Sequence, residues 1–176
     1  PQLKQAIPLT QTIRQEYLDV TMVWGGYFAS NQYKSVLNSG WVDYVVNGPG
    51  DYAFPQLLDA LESGEDKSSE TIHSIKNLIF KSNGEFVKTP KDDLIDYNKL
   101  PRMCYDKLNE HYSMDQYLGK TYLGEKTLAY HSSFGCPFTC AFCAVVPIYQ
   151  ARWKGMSAEN IYRDVKYVKE TWGADA

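Results

Sequence analysis

Cysteine and histidine are scarce in this sequence, which has four cysteines and three histidines among 176 residues. Three of the four cysteines fall within one eight-residue window. The cysteines of a disulfide-stabilised secreted domain are usually even in number and dispersed along the chain. This pattern argues against a disulfide framework and favours a reducing compartment, so we expect a cytoplasmic location.

Long apolar runs and runs of one charge are also missing. No segment approaches the roughly 18 to 20 apolar residues that a membrane-spanning helix needs, so none is expected. The 18 basic and 21 acidic residues are interspersed and give a net charge of -3, which leaves no basic patch for nucleic acid. With 44% hydrophobic residues the chain can form a globular core, and a small-molecule substrate is the expected partner.

Short β-type runs alternate with helical spacing in the first part of the chain. The strands are expected at residues 20–24 and 42–46. Helices are expected at residues 3–13, 31–37 and 54–61. Such alternation predicts a parallel sheet covered by helices, with ligands beyond the carboxyl ends of the strands. Each strand ends in a glycine-containing loop, so the ligand edge is expected at Gly25, Gly26, Gly48 and Gly50.

The second part of the chain carries a hairpin signal, a linker and one more strand and helix. Ser-Asn-Gly-Glu at residues 82–85 lies between two apolar runs and predicts a β-hairpin. Residues 90–120 are interpreted as an ordered linker, and residues 126–133 as the next strand. Ser157 is the expected N-cap of a helix whose apolar stripe is formed by Ile161, Val165, Val168 and Trp172.

The three clustered cysteines, Cys136, Cys140 and Cys143, are the strongest chemical signal. Thiolates with this spacing on a short loop can converge on one inorganic centre, and three of them leave one iron of a four-iron cube unclaimed by protein. Zinc is the alternative, because a structural zinc site takes four protein ligands. Three residues are candidates for the fourth ligand, although none has a usual zinc spacing: Cys104, His111 and His131.

Residues 132–143, Ser-Ser-Phe-Gly-Cys-Pro-Phe-Thr-Cys-Ala-Phe-Cys, resemble the cluster loop of the radical S-adenosylmethionine superfamily. The resemblance implies that the three cysteines bind a [4Fe-4S] cluster. In this family S-adenosylmethionine chelates the fourth iron, and an electron from the cluster cleaves it to a 5'-deoxyadenosyl radical. Phe142 matches the aromatic position that packs near the adenine in the family. The alternative interpretation of Phe142 is a loop aromatic that shields the cluster from water.

The glycine loops resemble the paired loops of the cobalamin-binding domain that precedes the radical domain in one branch of this superfamily. The resemblance rests on residues 23–26 and 45–51 and on residues 54–58 after them. It implies that Gly25, Gly26, Gly48 and Gly50 lie along the nucleotide tail of cobalamin, where backbone without side chains allows close approach.

The cobalamin resemblance has departures. The family's usual Gly-Glu-Gly-Glu loop is replaced here by Gly-Pro-Gly-Asp at residues 48–51, and a frequent His-Pro pair is replaced by Phe28-Ala29. Altered contacts to the cobalamin tail are therefore expected. The motif with a cobalt-ligating histidine would precede Pro1, so the lower ligand of the cobalt is left open.

The resemblance implies an α/β chain with three parts. Residues 1–64 are the C-terminal part of a Rossmann-like, flavodoxin-like cobalamin-binding domain, residues 65–125 a hairpin and linker, and residues 126–176 the first strand-helix unit of a partial TIM-type (β/α) barrel. The chain is thus expected to be part of a longer enzyme and to be inactive alone.

The function that this resemblance implies is radical chemistry on an organic substrate, by methyl transfer or ring formation. The cofactors would be the [4Fe-4S] cluster, S-adenosylmethionine and cobalamin, and a protein such as flavodoxin or ferredoxin would act as reductant. One alternative is a radical enzyme with a corrin-free, vestigial first domain. Another is a non-catalytic module stabilised by zinc.

Overall fold

The computed structural model describes residues 2–176; Pro1, where the expected first domain begins, lies outside them. The described residues form eight α-helices, α1 to α8: Gln2–Glu16, Gly26–Asn31, Tyr33–Asn38, Ala53–Glu62, Glu70–Ser74, Tyr105–His111, Val146–Tyr149 and Ala158–Trp172. They also form six strands, β1 to β6: Val23–Trp24, Tyr44–Val46, Leu78–Ser82, Glu85–Lys88, Ser133–Gly135 and Trp153–Gly155. Short 3-10 helices occur at Tyr97–Lys99 and Met114–Gln116.

The chain divides into two compact units. The first contains the residues up to Ile95 together with Gly135–Arg152, and the second contains Asp96–Phe134 together with Trp153–Ala176. The cysteine loop therefore belongs to the same unit as the glycine loops. None of the helices formed by residues 2–176 has the length and apolar character needed to cross a membrane.

The four-stranded sheet of the first unit has the order β1-β2-β3-β4. Strands β1 and β2 are parallel, whereas β3 pairs antiparallel with β2 and β4 antiparallel with β3. The predicted hairpin is confirmed: β3 and β4 are joined at Asn83 and Gly84, both with positive φ. The expected parallel pairing is confirmed for β1 and β2, but the sheet as a whole is mixed, because the hairpin pairs with the free edge of β2.

Two apolar clusters form the core of the first unit, one on each face of the sheet. Successive residues of a strand point to opposite faces. Tyr44 and Val46 accordingly belong to one cluster and Val45 to the other. The cluster around Tyr44 also contains Leu57, Ile72 and Phe80, and each of these three is completely buried. The short strands that carry the glycine loops therefore rest on packed apolar side chains.

The second unit contains the predicted helix that follows Ser157. The Ser157 hydroxyl accepts a hydrogen bond from the backbone N–H of Asn160 at 3.2 Å, which confirms the N-cap, and Gly173, with φ +70°, is the C-cap. The stripe is only partly buried: Val168 is 8% exposed and Val165 is 50% exposed.

The predicted strand at residues 126–133 is wrong over most of its length. Only Ser133–Gly135 is a strand, and it pairs with β6. Upstream, Thr127 forms an isolated bridge with Gly119. A barrel strand needs hydrogen-bonded neighbours along its edges. Within residues 2–176 the backbone of this segment bonds to Gly119 and, near the end of the sequence, to Asp175 and Ala176, but these separate bonds form no ladder with another strand.

Candidate functional site: a glycine-lined cleft and a cysteine loop

A cleft of about 480 Å³ lies at the carboxyl ends of the parallel strands β1 and β2. All four glycines that the sequence places at the ligand edge line this cleft. The remaining walls are mostly apolar and come from Val23, Trp24, Val46, Asp51, Phe54 and Pro55. The loops converge because parallel strands end at the same edge of a sheet. The structure therefore brings together the residues that the sequence separates by more than twenty positions.

Ser30, on α2, joins the two glycine loops. Its hydroxyl donates to the carbonyl oxygen of Val46 at 3.2 Å and accepts from the backbone N–H of Gly48 at 3.1 Å. The side chain is buried, so neither backbone group has water as a ready substitute. Ser30 thus holds the end of β2 and the start of the second glycine loop against the helix that follows the first.

Gly48 has a φ of +119°, a conformation that residues with a side chain rarely adopt. A Cβ atom placed there would lie 3.8 Å from Ile148 Cγ2 and 3.7 Å from Lys91 Nζ. Ile148 follows the cysteines in sequence and is buried. The requirement for glycine here therefore comes from backbone conformation as well as from any ligand in the cleft.

The residue before Gly48 carries a buried amide without a partner. Asn47 is 3% exposed, and its Nδ2 has no hydrogen-bond partner within residues 2–176. A buried polar group left unsatisfied costs about 1–3 kcal/mol, so such groups call for an explanation such as water or a ligand. This orphaned donor sits at the point where β2 enters the second glycine loop, although Asn47 is not among the residues that line the cleft.

The cysteine loop leaves β5 through Gly135. Gly135 has a φ of +82°, and a Cβ atom there would lie 2.2 Å from the carbonyl oxygen of Arg152, far inside van der Waals contact. The same carbonyl accepts a hydrogen bond from the N–H of Cys136 at 3.0 Å, and the N–H of Cys143 bonds to the carbonyl of Cys140 at 3.0 Å. The first hydrogen bond therefore closes the base of the loop, and the second forms one turn near its end.

The three thiols are accessible but not assembled. Cys140 is exposed, whereas Cys136 and Cys143 are half-buried. Within residues 2–176 no group of three or more His, Cys, Asp and Glu side chains is close enough to hold a metal ion. The Phe142 side chain is 93% exposed, so neither interpretation of this residue has a contact to support it. The site thus offers a suitable donor set for an inorganic centre, three thiols within eight residues.

The segment after the third cysteine is tied to the rest of the first unit by side chains. Lys91 Nζ donates to the carbonyl oxygens of Pro147 and Ile148 at 3.0 and 3.1 Å. Asn31, on α2, donates to the carbonyl of Ala144 at 3.5 Å. Burial lowers the pKa of Lys91, and the nearby charges of Lys88 and Arg152 lower it further.

Arg152 anchors the far end of the same segment. Its guanidinium donates to the carbonyls of Tyr149 and Asp92 at 3.1 and 3.3 Å and lies 3.5 Å from the Asp93 carboxylate. Burial raises the pKa of Tyr149, and Tyr27 and Asp51 raise it further. The Tyr149 phenol therefore stays protonated at neutral pH.

A second cleft of about 490 Å³ lies at the opposite edge of the sheet, near the residues that precede β1 and β2. Its charged side chains are of both signs and include Asp43, Lys67 and Lys81. None of the residues that the sequence predicts as functional lies there. Volume alone therefore does not distinguish the candidate site, whereas the convergence of the predicted glycines does.

Ser30, Lys91 and the short helix α7 were not predicted from the sequence. Lys91 falls in a segment interpreted as linker, and its acceptors are backbone carbonyls 56 and 57 residues away. Every residue has a backbone carbonyl that can accept a hydrogen bond, so no sequence pattern could have predicted this contact. For Ser30 the only signal was its position in the helix that follows Gly25 and Gly26.

Comparisons with known proteins give the family of the chain. No family model matches the chain. An uncharacterized methyltransferase of Pyrococcus horikoshii is 31% identical over 133 residues, which is 75% of this chain and 26% of the relative. The anaerobic magnesium-protoporphyrin IX monomethyl ester cyclase of Cereibacter sphaeroides is 29% identical over 125 residues, 69% of this chain and 19% of the cyclase.

The fold is similar to that of the cobalamin-dependent S-adenosylmethionine radical enzyme OxsB, whose structure has aqua-cobalamin and S-adenosylmethionine bound. The TM-score is 0.74 at 14% identity, over 97% of this chain and 22% of OxsB. The chain thus spans about a quarter or less of the length of these proteins. The cysteine motif and these similarities together show that the chain belongs to the radical S-adenosylmethionine superfamily, in its cobalamin-binding branch.

Proposed function

We propose that the chain is the junction of a cobalamin-binding radical S-adenosylmethionine enzyme. Residues 1–64 would be the end of the Rossmann-like cobalamin-binding domain, residues 65–125 the hairpin and linker, and residues 126–176 the opening strand-helix unit of a partial TIM-type barrel. The enzyme would perform methyl transfer or ring formation on a small organic substrate, with a flavodoxin or ferredoxin as reductant.

The observation that carries this proposal is the shared location of the two sites. The cleft lined by all four predicted glycines and the loop with all three clustered cysteines belong to one compact unit. A chemistry that uses a corrinoid and an iron-sulfur cluster together needs both held in one scaffold. The relatives named a methyltransferase and a cyclase support the same class of reactions.

The donor set of the cysteine loop fits a [4Fe-4S] cluster. Cys136, Cys140 and Cys143 would ligate three irons and leave the fourth for S-adenosylmethionine, to which the cluster supplies one electron for reductive cleavage. Phe142 is free to move onto a bound nucleoside, because its side chain has almost no protein contact. The exposed position of Cys140 also leaves room for the cluster to be inserted.

The glycine cleft fits the nucleotide tail of a corrinoid. Its glycines leave backbone groups unshielded for the polar part of such a tail, and apolar walls from Trp24, Val46 and Phe54 suit its flat aromatic base. Bound cobalamin would supply methyl-carrying chemistry, while the chain itself contributes shape and the exclusion of water.

The cluster assignment is tested by anaerobic reconstitution of the full-length protein with iron and sulfide. The reduced protein is expected to show a [4Fe-4S] electron paramagnetic resonance signal and to form 5'-deoxyadenosine from S-adenosylmethionine. Cys140→Ala should lose both, whereas Cys104→Ala, which removes the exposed cysteine outside the loop, should retain both. One bound zinc and no acid-labile sulfide would instead identify the zinc-stabilised module.

The corrinoid assignment is tested by adding a side chain to the cleft. Gly25 has extended backbone angles, and a Cβ there makes only ordinary contacts, so Gly25→Leu fills the cleft without backbone strain. This variant should bind hydroxocobalamin at least about tenfold more weakly, a loss of about 1.4 kcal/mol. Gly119→Leu is the matched control, because a Cβ at Gly119 meets nothing within 4 Å. An intact cluster in a wild-type protein that binds no corrinoid would identify the corrin-free alternative.

A further inference from the structure

The first unit contains a direct contact between the segment that follows the cysteines and the second glycine loop. Ile148 is 5% exposed and packs beside Gly48. Lys91 Nζ lies next to both: it is 3.7 Å from the position of a Cβ on Gly48 and bonds to the carbonyl of Ile148 at 3.1 Å. These three residues form one contact, which we call the Lys91 clamp.

The surroundings of the Lys91 ammonium group differ from those of an ordinary surface lysine. A lysine in a linker normally keeps its ammonium group in water. Here the ammonium is partly desolvated and donates to two backbone carbonyls. No carboxylate of residues 2–176 lies within 4.0 Å of it as an ion-pair partner, so its hydrogen bonds are directed to the backbone behind the cysteine loop.

The clamp has a consequence for both sites. Lys91 holds residues 147 and 148, which lie four and five positions after Cys143. Gly48 is at the same time a wall of the cleft. A ligand that fills the cleft restrains Gly48, and a restrained Gly48 limits the movement of Ile148 and Lys91 against it. The order of the cysteine loop and the occupancy of the cleft are then linked.

We propose that Lys91 is a positioning residue that couples occupancy of the glycine cleft to the order of the cysteine loop. This inference rests on the proposed function of the two sites and concerns residues of the chain itself. It assigns Lys91 no contact with substrate or cofactor.

The test uses the full-length protein without iron and compares Lys91→Met, Lys91→Arg and wild type. Lys91→Met keeps the length of the side chain but removes its donors, whereas Lys91→Arg keeps donors. The readouts are amide hydrogen exchange of residues 144–149 and the rate of Cys143 alkylation, each with and without hydroxocobalamin. The matched control is Lys76→Met, because Lys76 is a more exposed lysine that pairs with Asp92 at 2.9 Å.

In wild type, hydroxocobalamin should slow both exchange and alkylation by about tenfold, the effect of stabilising roughly one hydrogen bond. Lys91→Met should lose this protection while still binding hydroxocobalamin. Lys91→Arg should restore it, and Lys76→Met should behave as wild type. Rescue by arginine separates positioning from a general loss of packing.

Two outcomes overturn the inference. If wild type binds hydroxocobalamin but shows no protection of Cys143, the sites are not coupled, and this result needs no variant to fold. If Lys91→Met retains full protection, the coupling does not pass through Lys91. A wild-type protein that binds no corrinoid at all would instead contradict the proposed function, which keeps the two failures distinct.

Discussion

The glycine cleft and the cysteine loop belong to one compact unit but are supported in different ways. The cleft lies at the ends of β1 and β2, and Val45 and Val46 of β2 are buried. The cysteine loop has little underneath it: Phe138 is 69% exposed and Phe142 is 93% exposed. The cleft therefore rests on packed side chains, whereas the aromatic side chains of the cysteine loop face solvent.

The difference reflects how each kind of ligand is held. A large organic cofactor is bound by shape, so its site needs a packed scaffold behind it. An iron-sulfur cluster is bound by strong thiolate bonds, and the free energy of metal binding offsets the ordering of a flexible loop. The largely exposed loop that carries Cys136, Cys140 and Cys143 is therefore compatible with a cluster site whose base is fixed at Gly135.

The largest effect is expected from a substitution in the apolar core that supports the cleft. Phe80 is completely buried and packs against Tyr44 and His73 with ring centroids 5.6 and 5.2 Å apart. Phe80→Ala should lower the free energy of unfolding by about 3–5 kcal/mol, measured by urea unfolding. Phe138→Ala, in the cysteine loop, should change it by less than about 0.5 kcal/mol. Equal losses in the two variants would mean that the loop is as well supported as the sheet.

The next effect concerns the base of the cysteine loop. Gly135 and Gly84 share a φ of +82°, but only Gly135 is crowded, by the carbonyl of Arg152. Gly84→Ala should cost about 1–2 kcal/mol from backbone strain alone, and Gly135→Ala about 1–3 kcal/mol more from the clash. Urea unfolding measures both. Similar losses of unfolding free energy for the two variants would show that the base of the loop shifts to accommodate the added methyl group.

A smaller effect is expected where the two glycine loops are joined. Ser30→Ala removes the hydroxyl that pairs with Val46 and Gly48 and should cost about 1–2 kcal/mol, because both backbone groups are left unsatisfied. Hydroxocobalamin affinity should fall with it. Ser35→Ala, at an exposed position on α3, is the control and should have no measurable effect. An unchanged affinity in Ser30→Ala would separate the cleft from this hydrogen bond.

The smallest effect is expected at the exposed thiol. Cys140→Ala should change the stability of the iron-free protein by less than about 0.5 kcal/mol. Reconstitution with iron and sulfide should then stabilise wild type but not the variant, since binding to the native state adds to its stability. Thermal unfolding before and after reconstitution measures both. A large loss in the iron-free variant would indicate that the loop is ordered without a cluster.

Local patterns predicted most of the elements that support the sites. The hairpin at Asn83 and Gly84 and the N-cap at Ser157 are confirmed, because turn and cap residues act over three or four positions. The barrel strand at residues 126–133 is wrong, because the backbone of this segment bonds to Gly119, Asp175 and Ala176 without forming a ladder with another strand. The role of the cysteines as cluster ligands, and of the glycines as cobalamin contacts, stays a prediction.

The sequence by itself determined the chemistry: which residues can donate thiolates, and where the backbone lacks side chains beside two strands. Only the tertiary structure decided that Gly25, Gly26, Gly48 and Gly50 share one cleft, and that Lys91 and Ile148 connect its rim to the segment behind the cysteines. Donor chemistry is a property of single residues and can be read directly from the sequence. Contacts to backbone groups across 56 residues depend on the path of the folded chain, which residue identity does not record.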